Sequence, residues 1–343
     1  GAHSLFAAAL WIGGVDAGGQ LKVAAMNYRQ GGSDFWPGPL DTINASIESD
    51  QCEKYDKHFK ITRKEVLDYI NGDIAATSAI INWPGNGDVA LNQGKYLAPF
   101  YDANGDTYYD YTAGDYPGYD FELGGTGTFP LQNYPQALPG VTCVGKLFGD
   151  QTLWWVFNDK GNIHGETNAE PIGLEIRAQA FAFSTNDDIN NMTFYQYQII
   201  NRSKFQLNQC YFGQWVDADL GCYTDDYVGC DVARGLGYCY NADADDEIAC
   251  QTKGYGLNPP AVGIDFFQGP LADIGDGKDN DRDCMVDEVG EQIIMYRFVY
   301  YNNNSSSSGE PQTGAEFYGY LKGIWRDGLP MTYCGNGRTG TIL

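Results

Sequence analysis

Histidine is scarce in this chain: three in 343 residues, at His3, His58 and His164. A Ser/His/Asp hydrolase needs one of them as its base, yet no Gly-x-Ser-x-Gly elbow and no His-Glu-x-x-His helix is present. His164, in Asn158-Asp-Lys-Gly-Asn-Ile-His164, is expected in a turn between strands, as a structural residue rather than a catalytic one. Basic residues are few as well: 21 Lys and Arg against 45 Asp and Glu leave a formal net charge of −24. Nucleic-acid phosphates and anionic membrane surfaces both demand Lys/Arg patches, so neither is an expected partner. No run of about eighteen apolar residues occurs, so no membrane-spanning helix is expected. No signal peptide opens the sequence, and Gly1 is expected to follow a cleavage or an omitted segment. The nine cysteines contain no Cys-x-x-Cys pair, which removes the common zinc signatures. Disulfides formed in an oxidising compartment are the better reading of Cys210, Cys222, Cys230, Cys239 and Cys250. Nine is odd, so one cysteine is left free or pairs elsewhere, and spacing does not decide which.

What the chain has in excess is acid. Asp276-Gly-Lys-Asp-Asn-Asp-Arg-Asp-Cys-Met-Val-Asp-Glu288 packs five aspartates and one glutamate into thirteen residues. Unneutralised, such a run repels itself; a hard cation that takes six to eight oxygens from a flexible loop reverses the sign. Counted from Asp279, carboxylates fall at positions 1, 3, 5 and 9 (Asp279, Asp281, Asp283, Asp287), and the carbonyl of Met285 stands at position 7. Asp276 and Glu288 flank the set. This is the spacing of an EF-hand-like calcium loop, although Cys284 occupies the glycine position and position 12 is not Glu. Asp102-Ala-Asn-Gly-Asp-Thr-Tyr-Tyr-Asp110 repeats the spacing through Asp102, Asn104, Asp106 and Asp110, with the carbonyl of Tyr108 and with Asp115 to complete it. A third cluster offers Asp217, Asp219 and Asp225, for which turn capping is an equal reading; 241–247 is a weaker version. Two or more structural Ca2+ ions are therefore expected.

The rest of the composition describes a large β-protein. With 43% hydrophobic and 14% aromatic residues the chain buries a sizeable core in one or two domains, and 44 glycines and 25 tyrosines suit a secreted one. Stretches 5–12 and 21–28 read as the buried strands of a hairpin, and Phe35-Trp-Pro-Gly-Pro39 as a rigid turn. Thr62-Arg-Lys-Glu65 is a capping box that opens the one short helix expected, over 60–70. A long loop region carrying a calcium loop is expected over 96–146, irregular from 118 to 144, and a calcium-loop insertion over 273–290. Strands are expected over 153–157, 172–184, 193–201, 209–216, 235–240, 262–267, 292–301 and 317–325. Glu175, Arg177 and Gln179 alternate with apolar residues, the pattern of a half-exposed strand. The run 302–308 is expected at a hairpin tip. Together these give an all-β fold, an antiparallel, jelly-roll-like β-sandwich forming a single domain over 1–343.

Other chemistries fit less well. A glycoside hydrolase needs two carboxyls across a cleft, one with a raised pKa, whereas acids clustered on a metal have lowered ones. Trp154, Trp155, Tyr108, Tyr109, Tyr116 and Tyr119 would serve as platforms for sugar rings, although most such residues in a sandwich are packing. Asn44, Asn191, Asn201 and Asn303 begin N-glycan sequons, and Thr42, in Asp41-Thr-Ile43, looks like the O-glycan acceptor of secreted Bacteroidota proteins.

A series of stretches, taken in order, resembles the large secreted surface proteins of Bacteroidota exported by type IX secretion. Its carriers are Ala9-Leu-Trp-Ile-Gly-Gly14, Tyr28-Arg-Gln30 with Asp34-Phe-Trp-Pro-Gly-Pro-Leu40, and Ala98-Pro-Phe-Tyr-Asp-Ala-Asn-Gly-Asp106. The series continues with Gly114-Asp-Tyr-Pro117, Trp154-Trp-Val-Phe-Asn-Asp159, Pro171-Ile-Gly-Leu-Glu175 and Asp225-Asp-Tyr-Val-Gly-Cys-Asp231, and closes with Pro259-Pro-Ala-Val-Gly263 and the 276–288 loop. The chain departs at Thr107, where the family pattern often has a second glycine. The resemblance implies a longer precursor and an extracellular or cell-surface location. The resulting expectation is a non-enzymatic, calcium-stabilised structural or adhesive protein that self-associates, as a filament or layer, or meets other surface proteins. The rival expectation is a carbohydrate-binding module of a polysaccharide-utilising system, with a secreted glycoside hydrolase behind it.

Overall fold

The computed structural model describes residues 2–28, 31–119, 146–248, 253–332 and 338. The described strands are β1 (Ala7–Asp16), β2 (Leu21–Ala24), β3 (Trp36–Pro37), β4 (Phe59–Thr62), β5 (Phe100–Tyr101), β6 (Tyr116–Pro117), β7 (Gln151–Asn158) and β8 (Leu174–Ala182). They continue with β9 (Phe194–Asn201), β10 (Leu207–Asp217), β11 (Asp226–Asp231), β12 (Leu236–Asn241), β13 (Asp245–Asp246), β14 (Gly256–Leu257) and β15 (Val262–Asp265). Four short helices accompany them: α1 (Ser49–Tyr55), α2 (Arg63–Ile70), α3 (Ser78–Ile81) and α4 (Gly314–Leu321). The fold is mostly β, with several antiparallel sheets and few helices; the described residues show no sandwich, no jelly roll and no closed sheet. The irregular stretch expected over 118–144 lies, from 120 onward, outside the described residues. The chain divides into two compact units, one of residues 1–34, 164–170 and 206–343, the other of 35–163 and 171–205.

In the first unit the sheet order is β10–β1–β2. The hairpin of β1 and β2 forms as its apolar runs predict, with Gly13 facing Val23. Alanine-rich β1 is a strand because β10 pairs with its alanines and with most of its length, while β2 satisfies the other edge from Ile12 to Val15. Gly13 serves a second purpose: a Cβ there would stand 2.8 Å from the Tyr318 ring, so its absence admits α4 onto the sheet. Trp11 stacks on Trp215 at 6.2 Å and meets Phe317 edge-on at 4.8 Å, within a core completed by Val23, Tyr320 and Trp325. A second sheet has the order β11–β12–β15, and β13 pairs with β14.

Three expectations for this unit are corrected. The strand expected over 317–325 is helix α4, because Phe317, Tyr320 and Leu321 share one helical face. Its N-cap Thr313 accepts from the Glu316 amide at 3.3 Å, the same box that marks α2. No strand forms over 292–301; Val299 and Tyr301 are held there by packing, with the Trp215 indole donating to the Tyr301 hydroxyl at 2.7 Å. The run 302–308 is accordingly not the tip of a hairpin, although Asn302 and Gly309 form a single bridge.

In the second unit β3 and β4 pair with opposite ends of β7, which continues to β8 and β9. Helix α2 begins where its capping box predicts, the Thr62 hydroxyl accepting from the Glu65 amide at 3.2 Å. It is not the only helix: α1, α3 and α4 correct the expectation of one. Strand β8 is not half-exposed either. Glu175 is fully buried, because Arg177 Nη2 at 2.7 Å and Arg202 Nη2 at 3.0 Å both pair with its Oε1. The Leu40 amide donates to Oε2 at 3.1 Å. Burial alone would raise this carboxyl's pKa, but the two guanidiniums outweigh it and hold it below the usual glutamate range.

A lowered folded pKa means that Glu175 adds stability at neutral pH and that this is lost as pH falls through its folded value. Glu175→Gln leaves two buried guanidiniums uncompensated and is expected to cost about 3–5 kcal/mol in urea denaturation at pH 7. The gap between variant and wild type should narrow towards pH 3. A cost below about 1 kcal/mol would show that the triad is not a buried ion cluster.

Candidate metal centre

The acidic stretch from Asp276 to Glu291 forms a loop whose carboxylates first collect its own amides. Asp279 Oδ2 accepts from the Cys284 amide at 3.0 Å, Asp281 Oδ1 from the Asp283 amide at 3.2 Å, and Asp283 Oδ1 from the Met285 amide at 2.8 Å. The loop 102–110 repeats this frame position for position. Asp102 Oδ2 accepts from the Thr107 amide at 2.7 Å, Asn104 Oδ1 from the Asp106 amide at 3.0 Å, and Asp106 Oδ1 from the Tyr108 amide at 2.7 Å. Both loops also turn left-handed at positions 4 and 6: Gly105 (φ +75°) and Thr107 (φ +73°) in one, Arg282 (φ +62°) and Cys284 (φ +76°) in the other. The two departures noted in the sequence, Thr107 and Cys284, thus occupy the conformation that glycine favours.

The loops differ in where their acids converge. In the 276–291 loop, oxygens of Asp279, Asp281 and Glu291 lie within 4.8 Å of one another, and so do those of Asp281, Asp283 and Glu288. Asp281 is shared, and Glu288 Oε2 is buried without a hydrogen-bond partner. A hydrogen bond to its own backbone lowers the Glu288 pKa, but desolvation and the charges of Glu291, Asp283 and Asp281 carry it above the ordinary value. Glu291, almost fully buried and accepting from the Asn280 amide, lies beyond the twelve-residue window that the spacing argument used. Asp287 turns back to the Gly277 amide at 3.2 Å, and Asp276 pairs with Lys278 Nζ at 3.2 Å. The Met285 amide is held by Asp283, which fixes the turn that carries the Met285 carbonyl.

No acidic trio of this kind occurs among the described residues of 102–115. There Asp110 caps a turn, accepting from the Thr112 amide at 2.8 Å and hydroxyl at 2.6 Å, and Thr112 lowers its pKa. Asp115 is fully buried and collects the amides of Ala103 and Asp110, both at 2.8 Å. Burial raises its pKa against those two bonds, with the charges of Asp102 and Asp106 adding to the rise. Tyr108 is exposed.

Of the third cluster, Asp217 is bonded to the Tyr28 hydroxyl, and its pKa is raised by burial. Asp219 is raised by burial and then by Asp217. Asp225 Oδ1 is buried and unpartnered, and so is Oδ1 of the neighbouring Asp226, a residue the sequence reading passed over. Burial, then Asp225, Asp246 and Asp219, push the Asp226 carboxyl up to about 6 against the bond from the Leu220 amide. A further trio of Cys222, Asp246 and Glu247 is structural in character. Asp246 accepts from the Cys222 amide at 2.8 Å and the Tyr255 amide at 2.5 Å, and Cys222 is disulfide-bonded, so it offers no thiolate. No two of the other described cysteines are joined: Cys52, Cys210, Cys230, Cys239 and Cys284 are free thiols.

His164 is fully buried, its Nδ1 2.8 Å from the Val23 carbonyl and 3.4 Å from Asp34 Oδ2. Asp34 collects the Thr167 hydroxyl at 2.6 Å and the amides of Ala25 and Glu166. Of the residues considered for sugar stacking, Trp154 and Tyr119 are core, and Tyr109 packs against the same cluster. Thr42 is exposed, its hydroxyl donating to the Asn92 carbonyl at 2.9 Å. No protein-family model, no curated protein and no solved structure matches the chain.

The left-handed turn at Cys284 costs a residue with a Cβ about 1–2 kcal/mol, part of which glycine returns as lost unfolded-chain freedom. Cys284→Gly is therefore expected to tighten calcium binding by this loop about threefold, about 0.7 kcal/mol, in isothermal titration. Unchanged or weaker binding would mean that the turn does not limit the site.

Proposed function

We propose that this chain is a calcium-stabilised structural or adhesive protein of the cell exterior, not an enzyme. The observation that carries the reading is the convergence of Asp279, Asp281, Asp283, Glu288 and Glu291 in a loop whose position-by-position hydrogen bonding recurs at 102–110. Oxygen donors alone, arranged in an alternating loop, suit Ca2+, which would be held by those carboxylates and would supply charge neutralisation rather than chemistry. The bordering sequence motifs support a surface protein of Bacteroidota exported by type IX secretion, and within that reading the sheets belong to a jelly-roll-like sandwich. Among the described residues no helix is long and apolar enough to cross a membrane.

Two features support self-association. Strand β9 is the edge of its sheet and leaves Tyr195 and Ile199 exposed, a surface open to strand addition. Exposed Cys210 and Cys284 can link copies where the compartment is oxidising. A second reading, glycan binding, draws on a different surface from the one the sequence suggested. Tyr227, Tyr238 and Tyr240 form an exposed row on β11 and β12, with successive ring centroids 6.0 Å apart.

Electron microscopy of the native protein before and after EDTA with reductant tests the assembly. Filaments or sheets that dissolve on treatment are expected; dispersed particles under both conditions would overturn it and direct attention to glycan arrays with Tyr240→Ala. Chelation alone is expected to lower the melting temperature by several degrees, as removal of a ligand bound only by the native state must. An unchanged melt after prolonged exposure to EDTA would end the calcium reading.

A further inference from the structure

The first residue of β11, Asp226, lies opposite the last residue of β12, Asn241. Residues directly opposed across an antiparallel ladder project to the same face, with Cβ atoms about 5 Å apart. Tyr227 and Tyr240 take the other, exposed face. Cys239, two positions before Asn241 and so on its face, is buried. Its thiol is directed to the Ala218 carbonyl, 4.0 Å away. Asp225 is fixed at the mouth of the ladder by the Ala242 amide, which donates to its carbonyl at 3.1 Å.

Three oxygens here have no donor. Oδ1 of Asp225, Oδ1 of Asp226 and Oδ1 of Asn241 are buried and unpartnered. Asn241 is 7% exposed; its amide nitrogen is turned to the Asp243 carbonyl at 3.4 Å, which directs its oxygen the other way. The second oxygen of Asp226 is already used by the Leu220 amide at 2.8 Å. Each unmade bond to a buried acceptor costs about 1–3 kcal/mol, and more where the acceptor is charged. The charges acting on Asp226 are all acidic, those of Asp225, Asp246 and Asp219. Arg234, which follows β11, is paired with Asp231 at 2.6 Å.

We propose that the open end of the β11–β12 ladder is a buried site for a hard divalent cation, calcium by its all-oxygen donors, held by Asp225, Asp226 and Asn241. A cation there gives each orphan oxygen a partner at once, with backbone carbonyls and water free to complete the six to eight oxygens that calcium takes. The inference shares with the functional reading only the premise that the chain meets calcium; the 276–291 loop need not bind for this site to do so.

Calcium stoichiometry after chelation and re-addition of Ca2+ tests it on the full chain. Asp281→Asn with Asp283→Asn, which disables the loop, is expected to leave one bound ion per chain that Asp226→Asn then removes. Asn241→Asp separates ligation from packing. At a cation site the added charge tightens calcium binding at least fivefold and widens the gap between melting temperatures in calcium and in EDTA. In a site without a cation it buries one more acid and lowers both melts equally. That second pattern, or a loop-disabled chain that holds no ion, overturns the proposal. A loop-disabled chain that loses nothing relative to wild type refutes the loop and leaves this site standing.

Discussion

Repulsion among carboxylates is the constraint the rest of this structure answers to. A chain with a net charge of −24 has too few cations to pair its acids, and many of those acids are buried or half-buried. Three answers are visible. One is the ion pair, used where Glu175 meets Arg177 and Arg202. The second is the amide cage. Fully buried Asp159 collects the amides of Ile172, Gly173 and Leu174, just as Asp34, Asp115 and Asp246 collect theirs. Amide donors favour the charged form and so stabilise an acid without any counter-charge. The third answer is incomplete within the protein alone. In the 276–291 loop and at the end of the β11–β12 ladder, buried oxygens remain without donors, and the proposed cation would complete them.

The amide cages explain why so many acids sit at turns. Each joins backbone groups that a strand or helix end leaves unpaired, so the carboxylate and the loop fix one another. They also explain why an acid-rich motif is a poor guide to metal when read alone. Asp110 and Asp115 fit a calcium spacing, yet their oxygens are occupied by Thr112, Ala103 and the Asp110 amide. Asp281 and Glu288 belong to a group whose oxygens converge, and Glu288 keeps one of them free of any donor. The distinction is geometric, since it depends on which amide each carboxylate meets.

Much of the local architecture was legible because it depends on neighbours in sequence. The α2 capping box, the β1–β2 hairpin and most of the strands from β7 onward follow from patterns a few residues long. Helix α4 carried the same signal as α2 in Thr313 and Glu316, but its aromatic density favoured a strand. What could not be read depends on distant partners. Glu175 looks like an exposed strand residue until Arg202 is brought beside it, 27 positions away. Glu291 joins the acidic loop from outside the counted window, and Asp226 and Asn241 meet only once the register of β11 on β12 is set. Two of the aromatic residues offered as sugar platforms are placed by the same kind of distant contact. Trp154 and Tyr119 are held in the core by partners that a sequence does not display.

The same division separates what holds each unit from what a cation would control. In the unit carrying both open acid clusters, the core is aromatic, built on Trp11, Trp215, Phe317 and Tyr320, and it needs no ion. The acids lie beyond it, in the 276–291 loop and at the edge of the β11–β12 sheet, on elements with few core side chains of their own. Burial of the aromatic cluster therefore sets the global stability, while neutralisation of the acids sets how far the outer elements stay ordered. On the proposed reading, such a protein would lose the shape of its acidic loops before its aromatic core as calcium falls. Assembly that depends on those loops would then respond to calcium more steeply than folding does.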